Sequence, residues 1–312
     1  MANEGRRAGV GPALSAWLGL ARLPFHSVGV LPFLLGALLA WRLTGNLNWI
    51  VLGWGSLGVV LVMLATYFAG EYWDVEEDAL SARLGPSRFA GGSRVVLRGL
   101  LPRRAPLRAS LASLVLALLV ALLLQVGYRT GPWTVPFCLL GLLGGFFYSA
   151  RPIRWVSRGW GELWIAFCYG WLPVAVGCYL QTSKISPRAH WISLPIGLTI
   201  LNVILLNEFP DYAADVAAGK GNLLVRLGPE RGAILYALIA ATSWGTVALS
   251  INRGVEARLV WFYLPVLALS LTVALLVLRG RWRDRSVLER LCGANLMVNL
   301  GTTAAYLLAL AW

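Results

Sequence analysis

Apolar residues run through this chain in long blocks separated by short polar stretches, and the length of the blocks carries the first inference. A hydrocarbon core of about 30 Å is crossed by about 20 apolar residues in a helix. Blocks of that kind recur near 23–42, 48–70, 108–127, 133–150, 162–181, 190–209, 232–251, 257–278 and 291–311. The pattern predicts an all-α polytopic membrane protein with about nine transmembrane helices. Residues 1–312 are expected to form one integral-membrane domain, with 1–22 a cytoplasmic or interfacial N-terminal segment. Residues 13–21 suit a position along the interface before the first span. The first block carries Arg22, Pro24 and His26 and lacks a small-residue cleavage site, so it does not read as a cleavable signal peptide.

Composition agrees: 58% hydrophobic residues, 13% charged residues and a mean hydropathy of +0.69 exclude a soluble globular chain. The net charge of +13 raises nucleic acid as a partner, but its distribution argues against one. Assigning loops alternately to two sides puts 21 of the 27 basic residues on one side, including seven arginines from Arg83 to Arg108 and five from Arg279 to Arg290. By the positive-inside rule the N-terminus is cytoplasmic and, with nine spans, the C-terminus is outside. Most of these arginines are topology signals and contacts to anionic lipid. Cys138, Cys168, Cys178 and Cys292 have no paired spacing, so neither a disulfide framework nor a zinc site is indicated. His26 and His190 are isolated.

Chemistry is concentrated in two places. Eight of the fourteen acidic residues fall in Glu71-Tyr-Trp-Asp74-Val-Glu76-Glu77-Asp78 and Asn207-Glu208-Phe-Pro-Asp211-Tyr-Ala-Ala-Asp215, each at the cytoplasmic end of an apolar block. Helical spacing puts Asp74 and Asp78 on one face, and likewise Asn207, Asp211 and Asp215. Carboxylates that close repel one another, so a cation is expected between them, and Mg²⁺ carrying a phosphorylated substrate suits oxygen-only ligands. Each cluster precedes a loop with glycines and basic residues, Arg88-Phe-Ala-Gly91-Gly92-Ser93-Arg94 and Gly219-Lys220-Gly221-Asn222, where backbone N–H groups and cationic side chains can approach an anion.

The spacing Asn207-x3-Asp211-x3-Asp215-x3-Gly219-Lys220 resembles the second aspartate-rich motif of the UbiA superfamily of intramembrane aromatic prenyltransferases, and Asp74-x3-Asp78 resembles the first. Arg22-x-Pro24, the Arg88-to-Ser93 stretch, Phe147-Tyr148-x3-Pro152-Ile153-Arg154 and Arg158-Gly159-x-Gly161-Glu162 match as well. The 88–93 and 207–223 stretches look most like the branch that prenylates 1,4-dihydroxy-2-naphthoate in menaquinone synthesis. Gly70 and Glu71 depart from the family pattern, which has an asparagine four residues before the middle aspartate. Arg94 stands where the branch tends to have glycine.

The resemblance implies a helical bundle around a central cavity with a cytoplasmic polar cap, in a bacterial or archaeal cell membrane. It implies transfer of a polyprenyl group from polyprenyl diphosphate to an aromatic acceptor, 1,4-dihydroxy-2-naphthoate or a related quinone precursor. Two Mg²⁺ ions, replaceable by Mn²⁺, are expected on Glu71, Asp74, Asp78, Asn207, Asp211 and Asp215, with Glu71 standing in for the missing asparagine. Arg88, Ser93, Arg154, Arg158 and Lys220 are expected on the diphosphate. Tyr148, Tyr72 or Trp73 would stabilise an allylic cation through a ring face. Asp74, Asp78, Asp211, Asp215, Lys220 and Tyr148 form the expected catalytic set, and the isoprenoid tail would lie among apolar spans in contact with lipid. Glu76 and Glu77, off the Asp74/Asp78 face, read as solvated helix-end groups, and Glu162 as a structural group at a helix N-terminus. Two other classes stay open: a secondary transporter with a pseudo-symmetric pair of motifs, and a catalytically weak homologue that binds isoprenoid lipid.

Overall fold

Apolar blocks become helices because lipid offers no partner to a backbone N–H or C=O, and a helix satisfies both within one segment. A computed structural model describes residues 10–84, 87–89 and 91–312, and among these there are helices and turns but no strand. In chain order the helices are α1 (Val10–Ala21), α2 (Ser27–Thr44), α3 (Trp49–Trp73), α4 (Val75–Leu84), α5 (Arg104–Leu122), α6 (Thr134–Ser149) and α7 (Gly161–Ala166). They continue with α8 (Leu172–Thr182), α9 (Pro187–Ala217), α10 (Leu223–Leu227), α11 (Pro229–Asn252), α12 (Leu259–Leu278) and α13 (Arg285–Ala311). A π turn at Phe167–Trp171 joins α7 and α8 into one rod.

Eight of the described rods are long and apolar enough to cross a membrane. The ninth expected span, α6, has 16 residues, or about 24 Å at the helical rise. The Trp133 N–H at its start donates to the Tyr179 hydroxyl at 3.0 Å, near the end of α8. At its other end the Ser149 hydroxyl donates to Asp74. It therefore runs between the same two ends of the bundle as its neighbours, on a shorter path.

Two features of the packing place the site. Backbones of α2 and α8 meet at Gly36 and Gly177, where an added Cβ would lie 2.0 Å from the carbonyl oxygen of Val174 and of Phe33 respectively. Small residues permit that approach, and in lipid close van der Waals packing is what holds helices together. On the other side α9 is pinned by buried amides. The Tyr236 hydroxyl of α11 donates to Asn295 Oδ1 of α13 at 2.8 Å, and Asn295 Nδ2 donates to the Asn202 carbonyl of α9 at 2.8 Å. Asn202 Nδ2 donates back to the Tyr236 carbonyl at 3.1 Å.

α9 has 31 residues, about 46 Å, so it outruns its apolar block and carries Asp211 and Asp215 on as a continuous helix. α3 ends at Trp73, yet the Asp74 N–H donates to the Gly70 carbonyl at 2.9 Å and the Asp78 N–H to the Asp74 carbonyl at 2.8 Å. The i to i+4 register thus survives the bend into α4. Both acidic motifs reach the same end of the bundle.

Candidate active site

A cavity of about 560 Å³ opens at that end. Asp74 and Asp78 line it from the α3–α4 bend, and Asn207, Asp211 and Asp215 line it from α9. Arg88 and Ser93 of the first glycine loop, Lys220 of the second and Tyr148 of α6 complete its polar wall. Much of the rest of its lining is apolar, with Phe25 just before α2 and Val28 at its start, Ile200 and Ile204 on the α9 face one and two turns before Asn207 and Asp211, and Leu296 of α13. Two motifs far apart in sequence therefore meet around a space that is charged in one part and greasy in another.

The first glycine loop folds tightly against the acids. Gly91 and Gly92 have φ of +75° and +62°, and an added Cβ at Gly92 would sit 2.0 Å from Asp78 Oδ2. Glycine alone adopts that backbone without cost and permits that contact. Glu71 is the post that holds the loop. Its buried carboxylate accepts the Ser93 N–H at 2.6 Å, the Ser93 hydroxyl at 2.8 Å and Arg22 Nη2 at 3.0 Å. The position expected for a substitute metal ligand is thus engaged by Arg22 and Ser93, behind the cavity lining. The cause is the fold of the 91–94 loop, which brings two donors to Glu71.

Other placements also differ from expectation. Glu77 meets Arg154 in a close ion pair, its side chain only 15% exposed, whereas Glu76 is 84% exposed and faces Arg103 at 3.5 Å. Glu77 is therefore no solvated helix-end group; helical facing says which way it points, and the Arg154 loop folds over that face. Arg154 also lies 3.7 Å from Asp74 Oδ1, so it reaches the acids from behind. Arg158 turns away and donates to the carbonyls of Pro152 and Ile153. Tyr72 lies under Arg103 and edge-on to Trp73, outside the cavity lining, while Tyr67 and Tyr169 line it with Tyr148. Tyr67 carries a signal in the sequence, seven positions before Asp74 on the same helix face; Tyr169 sits at the π turn and has no comparable one.

Lys220 Nζ lies 2.9 Å from Asp215 Oδ1, and Asn222 Nδ2 donates to Asp215 Oδ2 at 2.7 Å while its own Oδ1 caps α10 by accepting the Val225 N–H. Glu162 Oε1 accepts the Leu223 N–H at 2.7 Å and Glu208 Oε2 accepts the Leu224 N–H at 3.1 Å. Those two acids anchor the start of α10 and with it the Lys220 loop. The Ser81 hydroxyl donates to Asp211 Oδ1.

The electrostatics of the site call for a cation. Burial, with the neighbouring carboxylates Asp74 and Glu71, pushes Asp78 up to about 8. Burial also raises Asp74 to about 6, against the Ser149 hydrogen bond and Lys220, which pull it down. Burial works to lower Lys220, but Asp215 and Asp74 overcome it and raise the ammonium to about 12. Asn207 Oδ1 is buried without a hydrogen-bond partner, and Asp74 Oδ1, likewise without one, has Arg154 Nη2 at 3.7 Å, beyond hydrogen-bond reach; buried oxygens of that kind are costly unless a donor or cation meets them. Oxygen donors of this type suit Mg²⁺. Among the described residues no three acidic, thiol or imidazole side chains already close on one point, so the donors line a wall that a substrate oxygen or water would complete.

The model of the UbiA prenyltransferase family matches residues 29–298. The chain belongs to the UbiA prenyltransferase family. Among similar proteins, a 1,4-dihydroxy-2-naphthoate octaprenyltransferase of Escherichia coli is 26% identical over 91% of this chain and 92% of its own. A 2-carboxy-1,4-naphthoquinone phytyltransferase of Synechocystis sp. is 24% identical over 75% of this chain and 73% of its own. A solved structure of a UbiA homologue from Archaeoglobus fulgidus, bound to GPP and Mg²⁺, superposes with a TM-score of 0.69 at 16% identity, covering 95% of this chain and all of that one. The fold is thus that of UbiA proteins, and this UbiA protein is a prenyltransferase and an integral membrane protein.

Proposed function

We propose that this enzyme transfers a polyprenyl group from a polyprenyl diphosphate to an aromatic acceptor, 1,4-dihydroxy-2-naphthoate or a related quinone precursor, with two Mg²⁺ ions. The observation that carries the reading is the meeting of both aspartate motifs, Lys220 and the Arg88–Ser93 loop around one cavity whose remaining lining is largely apolar. The relatives' names support the acceptor, and the Mg²⁺ and GPP bound to the Archaeoglobus fulgidus homologue support the metal and the donor.

Asp74, Asp78, Asn207, Asp211 and Asp215 would hold the metal, with Glu71 left to support the loop. When bound, Mg²⁺ neutralises charge that develops on the diphosphate as the allylic C–O bond breaks. Lys220, fixed by Asp215, and Arg88 add positive charge to the same oxygens. Tyr148, Tyr67 and Tyr169 line the cavity and would stabilise the allylic cation through a ring face. The electron pair of the broken C–O bond leaves with the diphosphate, and the acceptor ring attacks the cation, forms the new C–C bond and recovers aromaticity by losing a proton or, at a carboxylated carbon, CO2. A transporter reading is not favoured, because the acids gather at one end of the bundle and not near its middle. The cavity end carries the arginine-rich loops, so it faces the cytoplasm; with α6 counted as the ninth span, the C-terminus is outside.

The test is incubation of purified protein with Mg²⁺, geranylgeranyl diphosphate and a panel of aromatic acceptors, with products read by mass spectrometry. Prenylated 1,4-dihydroxy-2-naphthoate is expected, EDTA should abolish it, and Mg²⁺ or Mn²⁺ should restore it. Full activity in metal-free buffer refutes the metal mechanism. Diphosphate binding without transfer to any ring refutes the enzyme reading.

A further inference from the structure

A serine or threonine hydroxyl within a helix commonly donates to the carbonyl one turn back, as Ser56 and Thr66 of α3 do to Leu52 and Val62 at 2.8 and 2.9 Å. Two serines at the acidic end of the bundle reach across to another element instead. Ser149, the last residue of α6, donates to Asp74 Oδ2, and Ser81 of α4 donates to Asp211 Oδ1. Both serines are buried, so water does not compete for either bond. Each aspartate is thus held through one oxygen by an uncharged donor from outside its own helix. Asp74 keeps its second oxygen, Oδ1, buried and without a hydrogen bond, and both aspartates line the polar cavity. One serine serves each acidic motif. Ser81 does so across the motifs, since it stands three positions after Asp78 and reaches the other cluster.

We propose that Ser149 and Ser81 are positioning residues, which restrict Asp74 and Asp211 to one metal-facing oxygen each and so set the preference of the site for Mg²⁺ over Ca²⁺. The inference rests on the metal reading above. A carboxylate can offer a cation one oxygen or both. Mg²⁺ demands a near-ideal octahedron at roughly 2.0–2.1 Å, and the two oxygens of one carboxylate sit too close together to fill two of its corners well. Ca²⁺ is larger, binds oxygen at about 2.3–2.6 Å in flexible geometry and accepts both oxygens of one carboxylate. A hydroxyl bonded to one oxygen removes the two-oxygen mode, which costs Mg²⁺ little and deprives Ca²⁺ of a ligand. Partners that orient a metal ligand in this way change metal affinity by about 10–100-fold.

The test reads metal binding and needs no turnover. Mn²⁺ is bound to the purified protein in detergent with geranyl S-thiolodiphosphate present as an unreactive donor, the free ion is followed by electron paramagnetic resonance, and Mg²⁺ or Ca²⁺ is titrated in as competitor. In Ser149→Ala and in Ser81→Ala the ratio of the Ca²⁺ to the Mg²⁺ dissociation constant should fall by about tenfold, because the freed oxygen admits two-oxygen binding. Ser56→Ala removes a hydroxyl that bonds its own helix and should leave the ratio unchanged. A merely structural serine would weaken both cations together. An unchanged ratio in either folded variant, including one in which both cations weaken equally, overturns the proposal for that serine.

A second measurement uses the wild-type protein alone. Carboxylates bound through one oxygen show a wider separation of their antisymmetric and symmetric stretches in the infrared than carboxylates bound through two. Protein carrying aspartate isotopically labelled at the side-chain carboxyl should show that separation widen when Mg²⁺ is added, and a narrowing overturns the proposal. A wild-type protein that binds no Mn²⁺ refutes the metal reading and this inference with it. Mn²⁺ bound with a ratio that neither serine moves refutes this inference alone, so the two failures are told apart.

Discussion

Glu71→Gln separates a metal ligand from a structural post. The carboxylate accepts three donors, from Arg22 and twice from Ser93. A glutamine keeps the shape and one oxygen, and the Ser93 hydroxyl can rotate to accept from the new amide, so the two Ser93 bonds survive as neutral ones and the Arg22 bond loses its ion-pair part. Charge-assisted hydrogen bonds are roughly twice as strong as neutral ones. Arg22's side chain is 34% exposed, so water replaces part of its loss. The remaining cost is about 1–2 kcal/mol for glutamine, against about 3–5 kcal/mol for Glu71→Ala, which strands buried donors. Thermal unfolding in detergent should show a fall of roughly 2–8 °C for Gln and more for Ala. The loop carrying Arg88 and Ser93 loosens, so KM for the prenyl diphosphate should rise severalfold. At saturating donor, the Mg²⁺ concentration for half-maximal rate should stay where it is. A severalfold rise in that concentration with an unchanged melting midpoint would refute this reasoning and return Glu71 to the ligand set.

Asp74→Ala, Asp78→Ala, Asp211→Ala and Asp215→Ala should each lower kcat by about a hundredfold or more in steady-state assays, because each removes charge aimed at the leaving group. Glu77→Ala takes from half-buried Arg154 its nearer carboxylate and leaves Asp74 at 3.7 Å, so it should cost about 1–2 kcal/mol in unfolding experiments, whereas Glu76→Ala, at an exposed pair, should cost about half a kcal/mol or less. Gly92→Ala combines left-handed strain of about 1–2 kcal/mol with a clash against Asp78, and should depress turnover while far-UV circular dichroism stays unchanged. The raised values of Asp74 and Asp78, about 6 and about 8, lie above the unfolded value of about 3.9, so the metal-free fold holds protons that the unfolded chain releases. Its stability from these groups is present at low pH and declines as pH rises through about 6 and then about 8, a decline that Mg²⁺ should offset; activity, which needs the anions, should rise over the same window.

Hydropathy is a local property, so block length located eight long apolar helices and the shorter α6, and helical spacing pairs Asp74 with Asp78 and Asp211 with Asp215. The meeting of the acids could be anticipated for the same reason: both motifs end apolar helices, and both lie at the same end of the bundle, around one cavity. Loop geometry lies beyond such rules. Whether Glu71 faces metal or backbone depends on how residues 91–94 fold, which positive φ at two glycines and the depth of Ser93 decide. Glu77 and Glu76 are neighbours in sequence with similar chemistry, and only the path of the 150–158 loop makes one half-buried and paired and the other solvated. Tyr169 reaches the cavity because a π turn rotates its helix, and Arg158 misses it because nearby carbonyls capture its guanidinium. Periodicity says which face of a helix a residue occupies; what covers that face is set by segments tens of residues away, and only the tertiary structure brings them together.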